Sequence, residues 1–205
     1  MQNTENVTLM RMARESLKGK WGLAIGTFLI YTIILGAGGI MYQNGGGLSV
    51  MFNIVPLILG GPLMLGAAGF SLAISRGSEA KFEQLFDGFK DFTNAMFTYL
   101  LMLLFVILWT LLLIVPGIIA ALSYSMTFYI LSDNRSLKPR EALDRSKEIM
   151  DGYKLKLFYL MLRFLLLAIL CILTLGIGFL WYVPYYNVTM AKFYEDIVGG
   201  QEELV

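Results

Sequence analysis

The sequence predicts an all-α membrane protein, a polytopic bundle of about six transmembrane helices that form three hairpins. The first observation is composition: 57% of the 205 residues are hydrophobic and 15% are charged, as in multi-span membrane proteins. The second is that three long stretches contain no charged residue, namely 21–75, 92–132 and 164–191. One helical crossing of a hydrocarbon core about 30 Å thick takes roughly 20 residues, so each stretch accommodates two crossings, the last only just.

The charged residues indicate how the bundle is oriented. They are confined to four zones, which are the N-terminal segment, 76–91, 133–163 and the tail from Lys192. If each uncharged stretch is a hairpin, all four zones lie on one side of the membrane. The positive-inside rule places that side in the cytoplasm. We therefore expect a multi-pass protein of the cytoplasmic membrane, in contact with membrane lipids and with both termini cytoplasmic.

Composition also argues against several functions. The 16 Lys and Arg nearly balance the 15 Asp and Glu, and the net charge of +1 gives no reason to expect a nucleic-acid partner. The chain has no His and a single cysteine, Cys171. It therefore lacks the commonest metal ligand and the commonest general base. We expect no cofactor, no metal and no catalytic residue, and we predict that the protein is not an enzyme.

The N-terminal part is predicted to contain an amphipathic helix (1–20), followed by the first hairpin (21–75). One face of this helix is apolar and is surrounded by cations, a pattern typical of helices that lie on a membrane surface. The apolar positions are Val7, Met10, Ala13 and Leu17, and the cations are Arg11, Arg14, Lys18 and Lys20. We expect the helix to anchor the first span at the inner leaflet.

The second span of the first hairpin contains Pro56 and the sequence Gly60-Gly61-Pro62. Because proline removes a backbone donor, a kink or a broken helix is predicted here. Broken helices form ligand sites in some transporters. They can equally be packing kinks whose small residues let neighbouring helices approach. The packing interpretation is favoured, since no charged residue lies within the span.

A second amphipathic helix (76–91) precedes the second hairpin (92–132), whose turn is predicted at Pro116 and Gly117. The fourth span is short and rich in hydroxyl groups, which can bond to a neighbouring backbone only from inside the bundle. We therefore expect this span to face other helices. A third amphipathic helix (133–156) follows and carries basic residues.

The third hairpin (157–197) is predicted to turn at Gly176 and Gly178, and a tail (198–205) ends the chain. Its last span is too polar to face lipid along its length and is expected inside the bundle. All of 1–205 is thus predicted to form one membrane domain.

Three glycines end the charged segments in similar sequence contexts: Gly19, Gly88 and Gly152. Their spacing predicts a threefold pseudo-repeat. In this interpretation each glycine lets the chain turn from a surface helix into the bilayer.

Most of the chain resembles a known family, and the similarity is densest over 109–196. The residues that carry it are Val115-Pro-Gly117, the following SYSMTFYILSDN, Leu137, Glu141-Ala142-Leu143, Ser146-Lys147, Met150-Asp-Gly152-Tyr-Lys-Leu-Lys-Leu-Phe158, Gly176-Ile-Gly178, Trp181, Pro184-Tyr185 and Phe193-Tyr-Glu195. They resemble the bacterial domain-of-unknown-function 975 family of integral membrane proteins. The resemblance implies an architecture and a bacterial cytoplasmic membrane, and it transfers no catalytic residue.

The Pro-Gly hairpin followed by an amphipathic helix is also similar to a wider superfamily. That superfamily contains the membrane domain of glycerophosphoryl diester phosphodiesterases, which accompanies a separate soluble catalytic domain. We expect no such catalytic domain here.

Two groups of residues are candidates for binding. Aromatic and polar side chains of the second, fourth and sixth spans could line a pocket for a lipid or a peptide; these are Asn53, Tyr124, Tyr129, Tyr185, Tyr186 and Asn187. An aromatic belt with hydrogen bonds between helices explains the same residues and is favoured. Basic residues of the third amphipathic helix form a candidate cytoplasmic contact for a partner, although a solvated helix face also explains them; these are Arg140, Arg145 and Lys147.

Three functions remain open from the sequence. The favoured one is a non-enzymatic module that binds a partner protein or a second copy, as a scaffold, regulator or immunity-type factor. The alternative is a transporter or a lipid- or peptide-handling protein with a site between spans 2, 4 and 6. A membrane enzyme is the least expected, because phosphodiester hydrolysis usually needs metal-binding side chains or a nucleophile with a positioned base.

Overall fold

The computed structural model describes the backbone of residues 4–40 and 47–202, and the side chains of residues 4–36 and 56–200. Within these ranges the chain forms nine α-helices, one 3₁₀ helix and no strand, so the prediction of an all-α fold is confirmed. The α-helices are α1 (Asn6–Ser16), α2 (Trp21–Ile40), α3 (Gly47–Ser75), α4 (Phe92–Leu112), α5 (Ile114–Ser123), α6 (Thr127–Asp133), α7 (Pro139–Ile149), α8 (Lys154–Leu173) and α9 (Phe179–Glu202), and the 3₁₀ helix is Phe82–Asp91.

Four segments in the described part of the chain are long and apolar enough to cross a membrane. They lie in α3, in the 3₁₀ helix with α4, in α5 with α6, and in α8. The bent pair of α1 and α2 makes a fifth if it is counted as one span. Helix α9 is not among them, because Lys192, Glu195 and Asp196 interrupt its apolar character.

Helix α1 turns sharply into α2. The two helix axes meet at 102°, and Gly19 lies between them with a φ of +76°. A left-handed φ costs glycine little because it has no Cβ. On α1 the side chains of Leu9, Ala13 and Leu17 are buried against the bundle. Ala13 and Leu17 belong to the predicted apolar face, whereas Val7 is 51% exposed and Leu9 packs in its place, so that face was only partly correct.

Helix α3 is at the centre of the bundle and contacts α2, α4, α6, α9 and the 3₁₀ helix. The break expected at Gly60, Gly61 and Pro62 is absent, since α3 runs continuously through them. These small residues are packing positions and not a turn: a Cβ on Gly61 would overlap the backbone of Ala95 in α4. Glycine therefore lets the two backbones approach closely, as small residues do between membrane helices.

The turn between α4 and α5 lies at Leu113, which has an extended backbone with φ −160° and ψ 144°. The predicted turn at Pro116 and Gly117 was therefore misplaced by about three residues. Both residues lie in the first turn of α5, where a proline has no hydrogen bond to lose. Gly117 is needed there for another reason, because a Cβ on it would overlap Thr110 of α4.

The glycines of the predicted pseudo-repeat differ in role. Gly19 and Gly152 both have a positive φ, of +76° and +79°. Gly88 does not; it lies inside the 3₁₀ helix, where a Cβ would overlap the carbonyl of Pro62 in α3. The second predicted amphipathic segment thus begins later than expected and is a 3₁₀ helix with Leu85 and Gly88 buried.

The third hairpin turns at Leu175 and Gly176, whose φ values are +53° and +85°. Gly178 follows, and its N–H donates to Thr174 Oγ1 at 3.0 Å. Helix α9 continues to Glu202, so most of the predicted tail is helical and residues 203–205 lie outside the described part.

Candidate functional site

The charged ends of several helices meet in a network that we call the ionic clamp, formed by Arg76, Asp133 and Glu195. The guanidinium of Arg76 donates to both carboxylate oxygens of Asp133, at 2.8 and 2.7 Å, and its Nε donates to Glu195 Oε1 at 3.2 Å. The hydrogen bond to Asp133 raises the pKa of Arg76 above its usual range. The clamp joins the ends of α3 and α6 to α9.

Polar groups around the ionic clamp complete it. Ser75 Oγ donates to Glu195 Oε2 at 2.7 Å, and Lys192 Nζ donates both to the Ser75 carbonyl and to Glu195 Oε2. Tyr194 Oη donates to Asp133 Oδ2 at 3.1 Å. Lys192 and Glu195 belong to the charged zone that the sequence predicts on the cytoplasmic side, yet their side chains are only 13% and 23% exposed.

A second ion pair ties α8 to α9. Lys156 Nζ lies 2.6 Å from Asp196 Oδ2, and both side chains are nearly buried. The ammonium also lies 5.3 Å from the centre of the Phe193 ring, and the carbonyl of Lys156 accepts a hydrogen bond from Asn6. Contacts between Arg135 and Asp91 and between Lys20 and the Ser78 carbonyl add to these. All four charged zones of the sequence are thereby in mutual contact.

A groove of about 490 Å³ lies between α1, the start of α2 and the α8–α9 hairpin. We call it the lateral groove. It runs from α1 towards the turn at Gly176, and its residues are Met10, Arg14, Trp21, Leu167, Leu170, Cys171, Thr174, Gly178, Trp181, Tyr182 and Tyr185. Leu170 and Trp181 are 57% and 50% exposed, so the groove opens along the outer face of the hairpin.

Local structure explains how the lateral groove forms. The sharp turn at Gly19 brings α1 back across the bundle, and Tyr185 Oη donates to the Met10 carbonyl at 3.2 Å. This hydrogen bond fixes α1 against α9. Gly178 keeps the other end of the groove narrow, since a Cβ there would lie 2.8 Å from Cys171 Sγ. The groove therefore has apolar walls and one charged residue, Arg14.

The five predicted pocket residues whose side chains are described do not share one cavity. Tyr185 lines the lateral groove, whereas Tyr129 is buried and its hydroxyl donates to the Asn187 carbonyl at 3.3 Å. Tyr186 packs edge-on against Phe164, and Tyr124 stacks on Phe105 elsewhere in the bundle. The side chain of Asn53 lies outside the described residues. Tyr129 and Asn187 thus join helices and leave no pocket between them.

Tyr124 lines a smaller groove of about 180 Å³ on another side of the bundle. Lys147 and Lys154 lie at it together with residues of α4 and α5. The three predicted contact residues of α7 are dispersed. Arg140 is 3.7 Å from Asp144 on the same helix, Lys147 lines the smaller groove, and Arg145 lines a cavity beside the ionic clamp.

Sequence reasoning missed Arg14, Met10 and Trp21 as neighbours of Tyr185. These three residues are about 170 positions from Tyr185 in the sequence, and no local sequence pattern indicates that they meet it. For metals, the described residues contain no group of three or more His, Cys, Asp or Glu that could hold an ion.

Comparison with known proteins gives one match. A family described as "Protein of unknown function (DUF975)" matches residues 1–123 and 110–201, which together cover nearly the whole chain. No curated protein and no solved structure matches.

Proposed function

Since the chain belongs to the DUF975 family of proteins of unknown function, we propose a role from its geometry: a membrane protein that holds a lipid in the lateral groove. One observation carries the proposal. The groove has mainly apolar walls and opens on the outer face of the α8–α9 hairpin. A lipid acyl chain can therefore enter it sideways from a bilayer. We therefore place the lipid-handling alternative ahead of partner binding, with its site at α1, α2, α8 and α9 instead of between spans 2, 4 and 6.

The distribution of apolar surface supports a membrane location. Large aliphatic side chains cover the outer face of α8, among them Leu165, Leu166 and Leu173, which are 54%, 60% and 76% exposed. Soluble monomers rarely expose apolar patches of this extent. Exposing the same face to hydrocarbon has no free-energy cost, because lipid tails are as apolar as leucine.

We further propose six spans in three hairpins, with the ionic clamp on the cytoplasmic side of a bacterial membrane. The mutual contact of the four charged zones supports this arrangement, because each hairpin then begins and ends at one surface. Helix α9 becomes the sixth span, with its charged residues, which begin at Lys192, at the cytoplasmic end. The relation to the glycerophosphoryl diester phosphodiesterase membrane domain stays a prediction.

A binding role is proposed rather than a catalytic one. Among the described residues of the lateral groove are hydroxyl groups, a thiol and one guanidinium. A general base or metal ligand would normally be a carboxylate or an imidazole, and the lining residues include neither. These side chains can position a polar headgroup beside an apolar chain.

The test is native mass spectrometry of the protein released from nanodiscs made with bacterial lipids. Leu170→Trp fills the lateral groove, and Leu166→Trp is the matched control, because Leu166 is similarly exposed on α8 but does not line the groove. We expect a retained lipid on the wild-type protein and on the control, and its loss from Leu170→Trp. Equal retention by both variants, or a wild-type protein without lipid, contradicts the proposal.

A second candidate is a partner-binding module, and the exposure of α7 favours it. This helix buries Ala142, Leu143 and Ile149, while the side chain of Arg140 is 75% exposed. A firmly held helix with outward charges suits a protein contact. Charge reversal at Arg140 and Lys147 should then abolish a specific crosslink to a cytoplasmic partner, with the lipid complement unchanged. If the crosslink pattern is the same in the variant, the face is only solvated.

A further inference from the structure

We propose that the lateral groove selects an anionic phospholipid and that Arg14 holds its phosphate. This inference rests on the proposed function and adds the headgroup class. Arg14 is exposed on the third turn of α1 and lines the groove at the end formed by α1. The opposite end, at Thr174 and Gly178, is beside the hairpin turn. A ligand that fits has one negatively charged end and one apolar end.

Arg14 is the charged residue among those that line the lateral groove. Three cations elsewhere at the charged end of the bundle are paired with carboxylates: Arg76 with Asp133 and Glu195, Lys192 with Glu195, and Lys156 with Asp196. Within the described residues, no carboxylate lies within 4 Å of the Arg14 guanidinium. An uncompensated guanidinium beside an apolar wall favours a phosphate oxygen, which it can bind through two parallel N–H groups.

The rest of α1 favours a net anionic headgroup over a zwitterionic one. Arg11 and Lys18 are also exposed on this helix and have no carboxylate within 4 Å in the described part of the chain. Neither of them lines the groove, so they add a general positive charge to the surface of α1, and their effect on a bound lipid is expected to be smaller than that of Arg14. A choline or ethanolamine group would bring a cation into the same region.

The dimensions suit one acyl chain. Leu167 and Thr174 are seven residues apart along α8, which corresponds to a rise of about 10 Å. The hydrocarbon layer of one leaflet is about 15 Å thick. The part of α8 that lines the groove can therefore contact about 10 Å of an acyl chain. Trp21 and Trp181 also line the groove, and their rings can pack against the acyl chain.

The experiment measures the ratio of bound phosphatidylglycerol to bound phosphatidylcholine with identical acyl chains, offered in equal amounts in mixed nanodiscs. Native mass spectrometry of the full chain gives the ratio directly. The variants are Arg14→Gln, Arg14→Lys and the matched control Arg11→Gln, which changes the same charge on α1 outside the groove. Circular dichroism and size exclusion check that each variant is folded.

We expect the wild-type protein to prefer phosphatidylglycerol by about fivefold, the factor that corresponds to 1 kcal/mol. Arg14→Gln should lose this preference, Arg14→Lys should keep part of it, and Arg11→Gln should keep nearly all. An equal loss in Arg14→Gln and Arg11→Gln overturns the assignment to Arg14, because the preference then comes from the general charge of α1.

Two further outcomes distinguish a failure of the headgroup inference from a failure of the proposed lipid-binding function. If the wild-type protein binds both lipids equally and Leu170→Trp still removes them, the headgroup selection is wrong and the lipid-binding function stands. If no lipid is retained by the wild-type protein, both are wrong.

Discussion

Helices α3 and α8 are both long and apolar, yet they occupy opposite places in the bundle. In the apolar stretch of α3 from Pro56 to Ser75, 67% of the residues are buried, against 17% in α8. Helix α8 is nevertheless the more apolar of the two. In water the more apolar helix would be driven inward. In this protein the size of the side chains decides, and the helix with small residues takes the centre.

The two helices are also held in different ways. Helix α3 lets its neighbours' backbones approach closely, since a Cβ on Gly66 would overlap the carbonyl of Leu85. Helix α8 attaches through a narrow stripe of buried side chains, Leu157, Leu160 and Phe164, together with the buried pair of Lys156 and Asp196. Close approach of neighbouring backbones fixes the position of α3, whereas a few large buried side chains fix the position of α8.

The largest effect is expected where α8 docks on the bundle. Phe164 is 1% exposed, and its ring centre lies 5.8, 5.4 and 5.2 Å from those of Tyr182, Tyr185 and Tyr186. Phe164→Ala should lower the free energy of unfolding by about 4 kcal/mol, through the lost burial and the cavity. Equilibrium unfolding in bicelles measures it. Leu166→Ala, two residues away on the outer face, should cost less than about 1 kcal/mol; similar losses would mean that α8 docks by another face.

The next effect tests the close packing of α3. Gly66→Ala should destabilise by about 3 kcal/mol, because the added methyl group meets backbone atoms of the 3₁₀ helix that cannot move aside easily. The matched control is Gly26→Ala in α2, where an added Cβ meets no atom within 4 Å. We expect that variant to unfold like the wild type in the same assay. A tolerated alanine at Gly66 would show that α3 is not held by backbone proximity.

A charge on the outer face of α8 tests whether this face meets lipid. Leu166→Asp should disfavour membrane insertion by about 2.5 kcal/mol, the cost of an aspartate near the middle of a span. The fraction of chain that resists alkaline extraction from membranes measures it, with Leu166→Ala as the uncharged control. If this face meets water, Leu166→Asp should leave membrane insertion unchanged. Such a result would mean that the exposed side of α8 does not face lipid.

The smallest effect concerns the ion pair at the start of α8. Asp196→Ala leaves Lys156 nearly buried without its carboxylate, and we expect a loss of about 2 kcal/mol, moderated by the ring of Phe193. Asp151→Ala removes the exposed partner of Lys154 and should change stability by less than about 0.5 kcal/mol. Thermal unfolding of the two variants in one detergent gives the difference. Equal melting temperatures would mean that the buried pair does not secure α8.

Part of this architecture could be predicted from the sequence, because it depends on local composition. Uncharged stretches of sufficient length predict apolar helices, and the spacing of Ala13 and Leu17 predicts part of the side of α1 that packs, although Val7 of the predicted face is exposed. The hairpin glycine Gly176 was recognisable because a turn with a positive φ favours glycine.

Other features depend on which segments meet, and no local pattern encodes that. From the sequence, Gly61 suggested a break in a helix and Gly88 suggested a turn. In the structure, both allow close packing: Gly61 lies against the backbone of Ala95, and Gly88 lies against the backbone of Pro62. Pro116 suggested a chain reversal, but it lies in the first turn of helix α5. The lateral groove joins α1 to α9 from the two ends of the chain. The helical spacing of Lys192, Glu195 and Asp196 was a signal for one shared face, although it does not identify Arg76 or Lys156 as their partners.

The turns at Leu113 and Gly176 have a consequence for biosynthesis. Leu113 and Leu175 are 63% and 93% exposed, and neither turn carries a charged side chain. Both lie at the far ends of hairpins whose charged ends meet at the ionic clamp and at Lys156. In the proposed topology, each of these hairpins enters a bilayer from the ribosome's side as a unit, without carrying a charge through hydrocarbon. Partitioning of apolar surface drives this step, and the electrical potential across the membrane has no translocated charge on which to act.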